Sequence, residues 1–200
     1  MLRAQTLACR RGDRLVFAGL DFELGAGAAA VVRGPNGAGK SSLLRILATL
    51  LRPESGRVTW DDADIFAAEG YRARLHYVGH LAAIKPAFTV AENLAFWQRL
   101  RGQPADPAAL DTFGIGPLAD IPAQWLSAGQ RQRLSLSRLA AIPAPLWLLD
   151  EPTTSLDDAG IAALVAAIAA HRASGGRLLL TTHLPLDLPD AETIWIGAGR

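Results

Sequence analysis

The sequence has 200 residues, of which 50% are hydrophobic and 20% are charged, and its formal net charge is +1. This composition predicts one globular domain with a sizeable core, and it argues against a nucleic-acid-binding surface or a polybasic membrane anchor. The lone cysteine, Cys9, offers no disulfide framework and fits a cytosolic compartment. We find no signal-peptide-like N-terminus and no run of about 18 apolar residues, so any membrane role is expected to require a partner protein.

The N-terminal part predicts β-structure. Residues 3–24 read as short antiparallel strands, because the segments 15–17 and 20–24 lie on either side of Ala18 and Gly19 and the second alternates apolar with acidic side chains. An apolar strand follows over residues 28–32. This strand leads directly into a glycine-rich loop.

Residues 34–41, Gly-Pro-Asn-Gly-Ala-Gly-Lys-Ser, match the phosphate-binding pattern G-x-x-x-x-G-K-[ST]. Lys40 is suited to the outer phosphates of a nucleotide and the Ser41 hydroxyl to a magnesium ion. A chance glycine-rich turn is the alternative, but only two of the twenty basic residues are lysines, and one stands where the pattern needs it. The residues predicted to contact the nucleotide here are Gly34, Pro35, Asn36, Gly37, Ala38, Gly39, Lys40, Ser41 and Ser42.

Beyond this loop, strands alternate with helices. The spacing of apolar residues predicts helices over 42–51, from a capping box at Thr89 through Arg101, from residue 126 onward, and over 161–170. Predicted strands cover 57–60, 75–78, 145–149 and 177–181, and residues 53–56 form a turn. The alternation indicates an α/β fold with a mostly parallel core sheet, whose ligand site lies at the carboxyl ends of the strands.

Polar residues follow several of these strands or begin helices. Asp150 is suited to hold magnesium, Glu151 to orient the attacking water, and His183 to contact the terminal phosphate. Ser127 and Gly129 begin a helix, where a Ser cap and exposed N–H groups bind anions. Taken singly, each feature has an ordinary alternative: an exposed acidic turn, a surface histidine or a simple helix cap. Their occurrence together with the phosphate-binding loop favours a site for nucleotide hydrolysis.

In order along the chain, these motifs resemble those of the ATP-binding cassette ATPases. Residues 34–41 resemble the Walker A loop, 126–130 the signature motif with Ala128 in place of the usual glycine, 146–151 Walker B, 155–157 the D-loop, and His183 the switch histidine. The resemblance implies ATP and Mg²⁺ as ligands and a head-to-tail dimer. In that dimer, ATP held by one copy is contacted by the other copy's Ser127, Gly129, Gln130 and Asp157. It also implies a single domain, 1–200, with a RecA-like core (1–84 and 145–200) and a helical subdomain (about 85–144).

Two positions depart from the family pattern. Arg11 stands where an aromatic residue usually stacks on adenine, and its guanidinium plane can replace that contact with weaker base discrimination. His80 follows the strand 75–78 at the usual position of a glutamine that touches the metal and links the site to membrane subunits. We expect His80 to do the same work, although it is equally compatible with a simple loop substitution.

Softer features, including Gly79-His80 and residues 84–86, resemble the haem-exporter ATPases of cytochrome c biogenesis. That resemblance implies a peripheral subunit on the cytoplasmic face of the bacterial inner membrane, bound to transmembrane permease subunits. Its ATP hydrolysis would serve haem export or release of a haem-loaded chaperone during cytochrome c maturation. The alternatives are the ATPase of another small-molecule exporter, a soluble cassette protein acting on DNA or ribosomes, and a protein that only binds nucleotide.

Overall fold

The structure, a computed structural model, describes residues 1–197. The described residues form two β-sheets. The antiparallel sheet has the order β2-β1-β4-β5, and the core sheet has the order β6-β7-β8-β3-β9 with every neighbouring pair parallel. The strands are β1 (Leu2–Arg11), β2 (Arg14–Leu24), β3 (Ala29–Arg33), β4 (Ser55–Trp60), β5 (Ala63–Asp64), β6 (Leu75–Val78), β7 (Leu146–Asp150), β8 (Arg177–Thr181) and β9 (Glu192–Trp195).

The helices are α1 (Lys40–Leu47), α2 (Val90–Leu100), α3 (Ala128–Ala141) and α4 (Asp158–Ala173), with short 3₁₀ turns at Tyr71–Arg74, Pro107–Phe113, Gly116–Leu118 and Ala123–Trp125. The predicted α/β class with a mostly parallel core sheet is confirmed. β3, β7 and β8 are buried because helices and the second sheet cover both faces of the core sheet, which explains their nearly continuous apolar sequences.

The predicted break of β2 at Ala18 and Gly19 is wrong, because β2 runs unbroken from Arg14 to Leu24. The two strands of the hairpin instead meet at the Gly12–Asp13 turn. Leu7 pairs with Leu20 and Cys9 with Phe17, so β2 carries one more residue than β1 between these pairs. A β-bulge at residues 18–19 absorbs the extra residue without ending the strand.

Several predicted boundaries also need correction. α1 ends at Leu47 rather than residue 51, since Thr49 has a positive φ of 57° that a helix does not allow. α4 begins at Asp158 rather than 161, because the side chain of Asp157 caps it by accepting from the N–H of Gly160. The strand before Glu151 includes Asp150 as its last residue. β9 was missed: it is a four-residue edge strand with one buried side chain, Ile194.

The predicted capping box at Thr89 and the predicted N-cap at Ser127 are both confirmed, and reciprocal hydrogen bonds make the Ser127 cap a capping box as well. A separate apolar cluster lies between α2 and α3, and its buried members are Val90, Leu94, Leu110, Ile115, Ala123, Leu126 and Leu134. Leu134 belongs to this cluster, whereas Leu136 and Leu139 pack against the core sheet. α3 therefore packs against both the core sheet and the separate apolar cluster. The division of the chain into a core and a helical subdomain at residues 85 and 144 stays a prediction.

His76 on β6 is buried and its Nε2 lies 2.9 Å from the carbonyl oxygen of Ile142. Burial lowers the pKa of His76 to about 4, from the 6.5 of a free imidazole. The unfolded chain therefore binds a proton at a higher pH than the folded chain does. The resulting stability is complete above pH 6.5 and is lost as the pH falls towards 4.

We predict that lowering the pH from 7 to 5 reduces the free energy of unfolding of the native chain by about 2 kcal/mol more than that of His76→Gln. The glutamine keeps an N–H donor for Ile142 but does not titrate. Urea unfolding of both proteins at the two pH values measures the difference. Equal pH dependence in the two proteins would show that His76 does not carry this effect.

Candidate functional site

The glycine-rich loop connects β3 to α1 and carries the residues predicted to bind phosphate. The Lys40 ammonium donates to the carbonyl oxygens of Gly34 (2.8 Å) and Pro35 (3.2 Å). Strand β2 packs directly against the loop, since a Cβ on Gly39 would lie 2.4 Å from Cγ1 of Val16. A cavity of about 400 Å³ opens here, lined by Arg11, Arg14, Val16, Asn36, Gly37, Gly39, Lys40, Ser41, Ser42, Asp150, Glu151 and His183.

Asp150 is buried at the end of β7, and one of its oxygens is held by two hydroxyl groups. Ser41 Oγ donates to Asp150 Oδ1 over 3.0 Å, and Thr181 Oγ1 donates to the same oxygen over 2.9 Å. The other oxygen, Oδ2, is buried and receives no hydrogen bond from the described residues. The hydroxyl groups thus fix the orientation of the Asp150 carboxylate, and its Oδ2 is left able to bind a cation or to accept a hydrogen bond.

Glu151 directly follows β7 in a left-handed conformation, with φ 53°. Its N–H donates to Thr181 Oγ1 (2.9 Å), and its Oε2 accepts from the N–H of His183 (3.2 Å). Oε1 lies 3.3 Å from His183 Nε2 but outside hydrogen-bond geometry, and among the described residues it has no donor. A non-glycine residue held in this conformation is typical of a functional turn.

The residues predicted to contact a second nucleotide lie apart from this cavity, around the start of α3. Ser127 Oγ accepts from the N–H of Gln130. A Cβ on Gly129 would lie 2.6 Å from the carbonyl oxygen of Ser155, so only glycine fits there. The cavity of about 470 Å³ at this end is lined by Gly114, Ile115, Leu118, Ser127, Gly129, Gln130, Arg133, Ser155 and Asp157.

Arg133 forms an ion pair with Asp157 and also donates to the carbonyl oxygen of Phe113. The N–H of Gly160 and the Arg133 guanidinium hold the pKa of Asp157 below its usual range. Asp157 is therefore a fixed negative charge beside Ser127. The glycine-rich loop and the start of α3 thus line two different cavities of the same chain.

The structure brings most of the predicted residues to one cavity or the other, but His80 lies in neither set of lining residues. It is exposed, two residues after β6. Its predicted roles at the metal and in catalysis stay predictions.

Sequence reasoning missed Arg14, Thr181 and Gln132. Arg14 reaches the cavity because it pairs with Arg11 across the hairpin, and Thr181 reaches Asp150 because β8 is the neighbour of β7. Gln132 Nε2 donates to the carbonyl oxygen of Pro152 over 2.9 Å. The strand-end position of Thr181 was a signal, but its use required the order of strands in the sheet.

The arrangement fits a magnesium nucleotide. A buried, unpartnered carboxylate oxygen beside a serine hydroxyl supplies the hard oxygen ligands that Mg²⁺ prefers, and few protein ligands are needed because Mg²⁺ keeps waters and substrate phosphates. Among the described residues, no group of three or more His, Cys, Asp or Glu side chains is placed to hold a metal ion by itself. The loop N–H groups and Lys40 complete a site suited to phosphoryl transfer.

Comparison with known proteins points the same way. Residues 17–154 match the family model described as ABC transporter. The chain is 52% identical over 193 residues to the "Cytochrome c biogenesis ATP-binding export protein CcmA" of Rhodospirillum rubrum, covering 95% of this chain and 83% of the relative. It is also 52% identical over 198 residues to the protein of the same name from Paramagnetospirillum magneticum, covering 96% and 91% of the two chains.

Solved structures of cassette ATPases share the fold. The dimeric ATP-binding cassette MJ0796 bound to ADP and Pi superposes with a TM-score of 0.84 at 21% identity, covering 98% of this chain and 94% of that one. A bacterial Atm1-family ABC exporter with ATP bound gives 0.86 at 24% identity, covering 98% of this chain and 37% of the exporter chain.

We predict that Thr181→Val lowers the rate of nucleoside triphosphate hydrolysis at least about tenfold, with nucleotide affinity changed less than about threefold. The valine keeps the shape of threonine but removes the hydroxyl that orients Asp150 and Glu151. Steady-state hydrolysis and equilibrium binding measure the two effects. Thr59→Val, in the antiparallel sheet, is the matched control, and a Thr181→Val rate equal to that control would contradict the assigned role.

Proposed function

Because the chain belongs to the ABC transporter family, we propose that it is the ATP-hydrolysing subunit of a membrane complex that acts in cytochrome c maturation. The observation that carries this proposal is its 52% identity, over 95% of the chain, to a relative named for cytochrome c biogenesis and ATP-binding export. The presence of both halves of an ATP site, with Glu151 positioned beside the first, supports hydrolysis rather than binding alone. The cargo is haem, or a haem-loaded chaperone that the complex releases.

In the mechanism that we propose, the ATP phosphates bind along the N–H groups of the loop, and Lys40 exchanges the carbonyls of Gly34 and Pro35 for the outer phosphates. Glu151 accepts a proton from water through Oε1, which has no donor among the described residues. The water oxygen bonds to the γ-phosphorus while the bond to the β–γ bridging oxygen breaks, giving ADP and inorganic phosphate. His183 holds Glu151 and contacts the γ-phosphate.

Ser41 and Asp150 would hold the magnesium ion, with Thr181 keeping Asp150 in orientation. When bound, the ion would neutralise charge on the β- and γ-phosphates. A contribution of His80 to this site is part of the proposal and rests on its position after β6 rather than on a contact.

Two copies are required to complete each site. Ser127, Gly129, Gln130 and Asp157 surround a cavity separate from the phosphate-binding loop of the same chain. The first-turn N–H groups of α3 that the capping box does not use are suited to an anion, and Arg133 neutralises the charge of Asp157. We therefore propose a head-to-tail dimer in which each ATP lies between the loop of one copy and the α3 start of the other. The dimeric MJ0796 cassette has the same fold.

No helix within residues 1–197 is long and apolar enough to cross a bilayer. The complex that we propose contains transmembrane subunits as partners of this chain. We propose that these subunits dock on an apolar patch that includes Phe88 and Trp125, which are 38% and 74% exposed. Backbone hydrogen bonds from Ala123 to Phe88 and from Gln124 to Pro86 hold the two segments of this patch together. An exposed apolar patch of this kind is typical of a protein contact. This docking would place the chain on the cytoplasmic face of the inner membrane.

We predict that Lys40→Ala prevents ATP binding, whereas Glu151→Gln binds ATP but hydrolyses it at least about 100-fold more slowly. The first change removes the charge at the outer phosphates, and the second removes the proton acceptor without changing shape. Calorimetric binding and phosphate release distinguish the two. Retained turnover in purified Glu151→Gln protein would contradict the mechanism.

We predict that Trp125→Ser abolishes co-purification of transmembrane subunits from solubilised membranes and leaves c-type cytochromes without covalent haem. Trp195→Ser is the matched control, because Trp195 is a similarly exposed tryptophan, on the edge strand β9. The Trp195→Ser chain should retain both the co-purification of the transmembrane subunits and the covalent attachment of haem. Intact c-type cytochromes after deletion of the gene would instead favour the ATPase of another exporter.

A further inference from the structure

Two arginines bind the free edge of the core sheet at β6. This strand has β7 on one side and, among the described residues, no strand on the other. Arg101, at the end of α2, donates to the carbonyl oxygens of Ala73 and Leu75. Arg138 on α3 donates to the carbonyl oxygen of Tyr77 over 2.8 Å. An edge strand leaves backbone groups without ladder partners, so the guanidinium groups satisfy carbonyls that a neighbouring strand would otherwise bond.

Arg138 is a buried cation without a counterion. Its side chain is 5% exposed, its Nε has no hydrogen-bond partner within residues 1–197, and no carboxylate of that range forms an ion pair with it. Burial, and after it the charge of Arg101, lower the pKa of Arg138 to about 10. A buried, unpaired charge costs free energy of folding, so stability alone does not explain this arginine.

The guanidinium of Arg138 lies over the ring of Trp97 on α2, 4.8 Å from its centroid, at a distance typical of a cation–π contact. The indole Nε1 of Trp97 in turn donates to the carbonyl oxygen of Ala83 over 3.3 Å. Residues 78–82, which we call the exit segment, lie between the carbonyls of Tyr77 and Ala83. The Arg138–Trp97 stack therefore holds both ends of the exit segment.

The exit segment leaves the sheet beside the hydrolytic carboxylates. Its first residue, Val78, pairs with Leu149, which directly precedes Asp150 and Glu151. Two residues after Val78, the side chain of His80 is exposed. Parallel neighbouring strands end at the same edge of a sheet, where ligands of such sheets bind. The stack thus fixes a segment that begins next to the site and carries an exposed imidazole.

We infer that Arg138 and Trp97 are positioning residues for hydrolysis, because together they set how the exit segment presents His80 to the nucleotide held at Asp150. The inference rests on the proposed function, since it assigns the support of the same hydrolytic site. Neither side chain lines the cavity of the phosphate-binding loop. ATP affinity comes from that loop and from Lys40, so the stack affects turnover rather than binding.

The first experiment separates turnover from binding. Arg138→Met keeps an unbranched apolar side chain but loses the donor to Tyr77 and the cation over Trp97. We expect kcat for ATP to fall about tenfold while KM changes less than about threefold. Trp97→Leu should have the same effect, and Trp97→Phe, which keeps a ring face, should retain more turnover than Trp97→Leu.

Arg172→Met is the matched control. Arg172 is a part-buried arginine on α4 that also donates to backbone carbonyls, those of Gly27 and Pro189. It lies outside both cavities. Its replacement removes comparable hydrogen bonds without touching β6 or the exit segment. We expect kcat and KM of this variant to stay within about twofold of the parent chain.

The second experiment tests whether the stack acts as one unit on the exit segment. The double variant Arg138→Met/Trp97→Leu should turn over within about threefold of Arg138→Met, whereas independent effects would multiply to about 100-fold. In the Glu151→Gln chain, ATP should slow amide hydrogen exchange in residues 36–42 and in the exit segment. Arg138→Met in that background should keep the first protection and lose the second, whereas a general loss of stability would change both.

The inference is overturned by turnover of Arg138→Met equal to that of Arg172→Met, by multiplicative effects in the double variant, or by retained protection of the exit segment. Should Arg138→Met fail to fold, Trp97→Leu, at a half-buried position, is measured against the same criteria. These outcomes leave the proposed function intact when the parent chain hydrolyses ATP. A parent chain that neither hydrolyses ATP nor shows protection of residues 36–42 would contradict the proposed function, and the inference with it.

Discussion

The hydrogen bonds to Asp150 Oδ1 hold the active site together. They tie the first turn of α1, through Ser41, to the ends of β7 and β8, through Asp150 and Thr181. A buried carboxylate is costly unless its oxygens are satisfied, and here one oxygen has two donors while Oδ2 has none in the described chain. A cation at Oδ2 would complete the balance of charge. Thr181 also accepts from the N–H of Glu151, so the orientation of both carboxylates, Asp150 and Glu151, depends on one hydroxyl.

The two cavities of a single chain are connected by polar contacts of α3. Gln132 on that helix donates to the carbonyl oxygen of Pro152, directly after Glu151, and Arg133 pairs with Asp157. At the other end of α3, the buried Arg138 donates to the carbonyl oxygen of Tyr77 on β6. The helix start that would meet a partner's nucleotide is thus joined by short polar contacts to the turn that carries the chain's own Glu151.

Local sequence patterns predicted the elements whose signals lie within a few residues. The phosphate-binding loop, the capping box at Thr89, the N-cap at Ser127 and the strand 75–78 are of this kind. Features that depend on neighbours distant in sequence were not predictable. Thr181 meets Asp150 only through the order of β7 and β8, Arg14 meets Arg11 only through the hairpin register, and β9 is a strand because β3 offers it an edge. The bulge in β2 looked like a turn for the same reason, since pairing with β1 maintains the strand.

The central claim is that ATP lies between two copies of the chain. Sedimentation of the Glu151→Gln chain, whose native mass is 21.2 kDa, tests it most directly when the bound nucleotide is counted in the same sample. With ATP, the account predicts a particle of twice that mass that holds two nucleotides. Ser127→Arg in the same background should bind ATP and stay at the single-chain mass. A Glu151→Gln chain that binds ATP fully and remains at the single-chain mass would contradict the account.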